Sequence, residues 1–177
     1  MVSGGSRPAR ALSSAGMDVT LIVDGANVMG SRADGWWRDR AGAMARLHGE
    51  LAALAARGIR GPVPGDLAVP GDARDAAGGP GAVDVPEAGQ DDADGRWYPQ
   101  IVLVVEGRAR QMLDLVSPAP AVQVVAAQGE GDDEIAGLAR RLPGQRVVVT
   151  ADRELRRRAA AAGAAVTGPS WLIRQFG

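Results

Sequence analysis

Five short runs dominated by Val and Ile recur along the chain: VTLIV (19–23), IVLVVE (101–106), AVQVVA (121–126), RVVVT (146–150) and AAVTG (164–168). All but the last are nearly unbroken apolar segments, the pattern of strands covered on both faces. Helical periodicities lie between them. Residues 38–57 place Met44, Leu47, Leu51 and Leu54 on one face, and a later stretch spaces Ile135, Leu138 and Leu142 by three and four. A third helix is predicted over 153–162, with Asp152 as N-cap and Gly163 at its end, and SWLIRQF gives a short last helix capped by Ser170. Strand and helix in alternation predict an α/β fold. The expected architecture is a three-layer α/β/α domain with a mostly parallel, doubly wound sheet of about five strands and right-handed crossovers.

Two stretches fall outside this scheme. Residues 1–17, rich in Gly, Ser, Arg and Pro without periodicity, read as a disordered leader. Residues 61–96 are punctuated by Pro, Gly and Asp and carry few large apolar side chains, so they read as a flexible acidic insertion within one domain spanning 18–177. The insertion holds eight acids against Arg74 and Arg96, a balance of -6, whereas the whole chain carries -1; the remainder is therefore mildly basic, at +5. All 20 basic residues are arginine. That uniformity discounts any argument from arginine content alone.

Composition narrows the chemistry. The chain has 177 residues and no cysteine, which removes disulfides, thiolate nucleophiles and zinc-thiolate sites. The single histidine, His48, falls in an alanine-rich helical pattern and reads as a helix-surface residue, so a Ser-His-Asp triad is not expected. No apolar run approaches the ~20 residues of a membrane helix, and the first residues lack the apolar core of a signal peptide. The expected location is cytoplasmic, with no membrane partner.

The strand ends are where ligands bind in sheets of this class, and here they carry acids. Asp24 follows the first run, Glu106 ends the second, and Asp152 comes two residues after the fourth. The segment GEGDDEIAGLA adds Glu130, Asp132, Asp133 and Glu134 after the third run, at the start of the helix bearing Ile135. Each acid alone has an ordinary explanation, as a turn residue, an N-cap or a charged first turn. Their coincidence on one sheet edge is the signal. Carboxylates gathered there repel unless a hard cation neutralises them, and oxygen-only ligands point to Mg²⁺ or Mn²⁺. DGANV lacks the second Asp of a phosphoaspartyl transferase, and there is no GxxxxGK[ST] phosphate loop.

Arginines follow the acids: Arg32, Arg38 and Arg40 after Asp24; Arg108 and Arg110 after Glu106; Arg153, Arg156, Arg157 and Arg158 after Asp152. They suit a polyanion, and Arg32, Arg38, Arg108, Arg153 and Arg156 are the candidate nucleic-acid contacts. Trp36 and Trp37 fit either base stacking or packing on the sheet.

LIVDGANVMG, VVEG, GDDEIAGLA and VVTADRELRRRAAAAGAAVTGPSWL, in that order, resemble the NYN family of the PIN-like (FEN-like) nucleases over roughly residues 18–172, outside the insertion. The resemblance implies metal ligation by Asp24, Asp152 and one or both of Asp132 and Asp133. It implies an orienting or phosphate-contacting role for Asn27. Glu106 departs from it, because that strand in relatives often ends in Asp. The implied activity is Mg²⁺- or Mn²⁺-dependent hydrolysis of RNA, leaving a 5′-phosphate and a 3′-hydroxyl. Two alternatives stand beside it: a phosphohydrolase of nucleotides or small phosphate esters, and a non-catalytic RNA-binding module on the same fold.

Overall fold

A computed structural model of the chain describes residues 19–65 and 95–177. The expected leader and most of the expected insertion, residues 66–94, lie outside the described residues.

The chain builds strand β1 (Val19–Asp24), helix α1 (Gly25–Gly30), helix α2 (Arg40–Arg57), short strands β2 (Ile59–Arg60) and β3 (Arg96–Trp97), and strand β4 (Gln100–Val105). It continues through β5 (Val122–Ala126), α3 (Gly131–Arg141), β6 (Gln145–Val149), α4 (Arg153–Ala161), β7 (Ala165–Thr167) and α5 (Pro169–Ile173). Single 3₁₀ segments occupy Trp36–Arg38 and Gly107–Asp114. The five apolar runs become one sheet in the order β5-β4-β1-β6-β7, all neighbours parallel. The fold is thus the expected three-layer, doubly wound α/β arrangement.

Alternation along each strand feeds two cores. Leu21 and Val23 of β1, Ile101, Leu103 and Val105 of β4, and Val147 and Val149 of β6 pack with α1, α2 and α5 on one face. Ile22, Val102, Val104 and Val148 pack on the other face with Ile135 and Leu138 of α3 and Leu155 of α4. Burial on both faces explains why these runs are apolar at every position rather than at every second one.

The central strand β1 decides where a site can form. From its end the chain moves to the α1/α2 layer and then outward through β4 and β5. It returns through α3 to β6, on the other side of β1, and from β6 it enters α4 in the opposite layer. Adjacent strands whose continuations part to opposite faces leave a crevice at their carboxyl ends. Here that crevice lies between β1 and β6.

Several expectations change. His48 is buried, at 5% exposure. It falls four residues after Met44 and three before Leu51, on the stripe that α2 turns to the core, and burial holds its imidazole pKa below the ordinary value. Ser170 does not cap the last helix: Gly168 is the N-cap and Pro169 occupies the first turn, where its missing N–H costs nothing. Both ends of the expected insertion 61–96 are part of the folded body. Arg96 pairs with Arg60 in the antiparallel β2–β3 ribbon, Val63 is buried, and the Trp97 indole N–H donates to the Gly61 carbonyl at 2.9 Å.

Gly25 lets α1 start immediately against the sheet. A Cβ there would stand 2.7 Å from Met44 Cε and 2.8 Å from the Val104 carbonyl oxygen. The methionine has room to move but the β4 backbone does not. Gly25→Ala is therefore expected to cost about 1–3 kcal/mol by overpacking and to lower the midpoint of thermal unfolding by roughly 2–4 °C per kcal/mol. An unchanged midpoint in a calorimetric scan would show that the α1–β4 contact is looser than these distances imply.

Candidate active site

Four acids from four parts of the chain line one cleft of about 250 Å³ at the carboxyl edge of the sheet: Asp24, Glu106, Asp132 and Asp152, with Asn27, Gly131 and Ile135 beside them. Three of them, Asp24, Glu106 and Asp152, are held by hydrogen bonds from the backbone.

Asp24 ends β1 and caps α1, accepting the Asn27 N–H on Oδ1 at 3.0 Å. Its Oδ2 accepts the Thr150 hydroxyl at 2.9 Å. Thr150, fully buried just after β6, also accepts the Asp152 N–H on the same oxygen at 3.1 Å, so one side chain spaces two acids. Asp152 caps α4 through the Leu155 N–H at 2.7 Å. Asn27 Oδ1 accepts the Ala151 N–H at 3.1 Å, tying the turn after β1 to the turn after β6 across the crevice. Glu106 reaches over from β4, and its Oε2 accepts the Gly131 N–H at 2.8 Å. It thereby does for α3 what the N-cap residue Glu130 does not. A Cβ on Gly131 would come within 2.9 Å of that oxygen, so glycine lets the carboxylate sit against the helix end.

The electrostatics report the crowding. Burial raises the Asp24 carboxyl above its ordinary pKa, opposed by the Asn27 and Thr150 hydrogen bonds and reinforced by Glu106. Asp132 is raised by burial first, then by Asp24, Asp152 and Glu106, with Arg158 pulling the other way. Carboxyls that raise Asp24 and Asp132 from several elements at once are what a shared site produces.

The two neighbouring aspartates of α3 part company. Asp132 faces the cleft, whereas the Asp133 side chain is 71% exposed and pairs with Arg158 at 2.7 Å. Of the other acids in that segment, Glu134 pairs with Arg141 and Glu130 precedes the helix. The candidate arginines also separate. Arg32 is drawn away from the cleft, paired with Glu50 at 2.6 Å and lying 5.2 Å from the Phe176 ring centroid. Arg156 donates to the Thr150 carbonyl at 3.0 Å, bracing the turn that carries Asp152. Arg153 is exposed at the start of α4. Arg38 and Arg108 face a second groove with Arg40 and Trp37. Thr150 escaped the sequence reading; its signal was a hydroxyl between an apolar strand and an acid in VVVTAD.

No family model matches the chain, and no curated protein matches it. Among solved structures, a crystal structure of a mutant of Rae1 (YacP) from Bacillus subtilis is similar to it, with a TM-score of 0.55 and 16% sequence identity over 90% of this chain and 75% of that chain. At that identity the likeness is one of fold. Among the described residues, no helix is long and apolar enough to cross a membrane.

Proposed function

We propose that the protein is a metal-dependent ribonuclease that hydrolyses RNA phosphodiester bonds in the acidic cleft at the carboxyl edge of the sheet. The observation that carries this reading is the convergence of Asp24, Glu106, Asp132 and Asp152 on one cleft at the switch point of the sheet. The NYN-like order of the motifs and the fold likeness to Rae1 support it.

The donor set fits Mg²⁺ or Mn²⁺ in one particular manner. Among the described residues no three acidic or histidine side chains are grouped so as to hold an ion by themselves. Three of the cleft acids, Asp24, Glu106 and Asp152, already accept hydrogen bonds from the protein. Such a set suits a cation that keeps several of its waters, which is how Mg²⁺ is usually bound. Asp24, Asp132, Asp152 and Glu106 would hold it. When bound, it supplies charge neutralisation and a more acidic water.

The chain contributes position. Thr150 sets the spacing of Asp24 and Asp152, and Asn27 locks the two turns that carry them. Hydrolysis joins water oxygen to phosphorus and breaks the bond to the 3′ oxygen, which takes up a proton and leaves as a hydroxyl; acids held in position before substrate arrives reduce the reorganisation this needs.

The test is cleavage of labelled single-stranded and hairpin RNAs by the full chain with Mg²⁺ or Mn²⁺ and with EDTA. Cleavage with either metal and none with EDTA is expected. Release of phosphate from nucleotides with intact RNA would instead make it a small-ester phosphohydrolase, and RNA binding without either reaction would make it a binding module.

A further inference from the structure

Beside the acidic cleft lies a second groove, of about 540 Å³, bounded by Trp37, Arg38, Asp39 and Arg40 at the start of α2 and by Arg108 and Gln111 of the 3₁₀ segment after β4. Its chemistry is the reverse of the cleft's. Three guanidinium groups face one carboxylate, and that carboxylate is engaged, since Asp39 caps α2 through the Gly42 N–H at 2.9 Å. Among the described residues none of Arg38, Arg40 and Arg108 has an acidic partner, in contrast to Arg32, Arg141, Arg157 and Arg158, which all do.

The two adjacent tryptophans have different tasks. Trp36 is partly buried and packs on the core, with the Arg40 guanidinium 5.5 Å from its ring centroid. Trp37 is 57% exposed. Trp36 stands edge-on to it, with centroids 6.4 Å apart at 83°, and Arg38 lies 5.9 Å from its centroid. An indole propped in this way and left open to solvent has no packing role to justify its exposure. An aromatic platform among unpaired arginines is the combination that binds single-stranded nucleic acid, by stacking and by phosphate contact.

Chain connectivity gives the groove its direction. Arg108 is two residues from Glu106 of the cleft, so their backbones are separated by at most about 7 Å. The groove and the cleft thus meet at the turn after β4, and a strand held by Arg108 is brought close to Glu106.

We propose that this groove is a single-stranded RNA subsite, in which Trp37 stacks on a base flanking the cleaved bond while Arg38, Arg40 and Arg108 hold the adjoining phosphates. The assignment of RNA rests on the ribonuclease reading; the groove's affinity for a strand does not. Gln111 adds a neutral amide at the same rim, and Arg32 and Arg156 belong to the scaffold.

The experiment is fluorescence-anisotropy titration of a labelled oligoadenylate with the full chain in EDTA, where nothing is cut. Trp37→Ala is expected to raise Kd about tenfold, within the range for loss of one stacked base, and Trp37→Phe to recover most of that loss. Replacing Arg38, Arg40 and Arg108 together by alanine should reduce the slope of log Kd against log salt by about 2, at roughly 0.7 per phosphate contact. Tyr98→Ala, which removes another exposed aromatic, should change nothing. Wild-type affinity and slope in the Trp37 and arginine variants would overturn the proposal, as would equally tight binding of polyglutamate independent of Trp37, which would mark a surface for acidic proteins. The two readings fail separately. Groove-dependent binding without cleavage in Mn²⁺ removes the nuclease and keeps the subsite, whereas cleavage with the same KM in wild type and groove variants removes the subsite alone.

Discussion

Asp24→Asn is expected to lower the rate of RNA hydrolysis by about a thousandfold, equivalent to about 4 kcal/mol of transition-state stabilisation, with little change in stability. Asp24 is the most enclosed acid of the cleft, at 6% exposure, and it meets the other three from the centre of the sheet. The amide has the same shape and no charge. Its oxygen can still accept the Asn27 N–H, and its NH₂ can face the Thr150 oxygen, which then loses one outlet for its own hydroxyl proton. That loss costs about 1 kcal/mol. It is offset by relief of the burial and of the Glu106 repulsion that raise the acid's pKa. Because the two stability effects oppose each other, the activity change is interpretable as chemistry. The measurement is single-turnover cleavage alongside thermal unfolding in EDTA; a variant that folds normally and cuts RNA at the wild-type rate removes Asp24 from the reaction and with it the metal-centre reading.

Much of this arrangement was legible in the sequence because the signals are local. Four of the five predicted strands are short Val/Ile runs, the fifth is the weaker AAVTG, and every one appears in the sheet. A parallel sheet sends all its carboxyl ends to one edge, so the acids after the first, second and fourth runs had to meet once the order of strands was known. What escaped the reading depends on contacts distant in sequence. Arg32 follows Asp24 as a phosphate ligand would, yet Glu50, 18 residues on, neutralises it. Thr150 links to Asp24 across 126 residues. The β2–β3 ribbon consists of two residues per strand, too short for any periodicity. His48 was the exception, since its place on the Met44–Leu51 stripe was visible in the spacing and an alanine-rich surround concealed it. The Asp132–Asp133 alternative also needed the fold: adjacent helical residues point about 100° apart, and only the position of α4 shows which one meets the cleft.

That separation yields a prediction in which activity and stability move in opposite directions. Asp132→Asn is expected to reduce RNA cleavage by about a hundredfold or more while making the metal-free protein more stable near neutral pH. Asp133→Asn should leave cleavage nearly unchanged and weaken only an exposed pair with Arg158, worth at most about 1 kcal/mol. The sign follows from the direction of the Asp132 shift. A carboxyl whose pKa is raised on folding favours the folded state while it is protonated, and that contribution disappears as pH climbs from the ordinary value of 3.8 through the raised one. Above that window the ionised acid opposes folding, through its burial and through Asp24, Asp152 and Glu106. Asparagine cannot ionise and so escapes the penalty. For a partly exposed group the gain is screened, and a rise of a few degrees in the unfolding midpoint is the appropriate scale. Divalent cation should reverse the ranking, because Mn²⁺ stabilises the wild type by mass action in proportion to its affinity, and the variant has lost one of the acids that would hold it. Calorimetric scans of both variants at pH 4 and pH 7, with EDTA and with Mn²⁺, check this. An Asp132 variant less stable than wild type in EDTA at pH 7 would mean that the acid serves the fold rather than bearing a strain on behalf of the site.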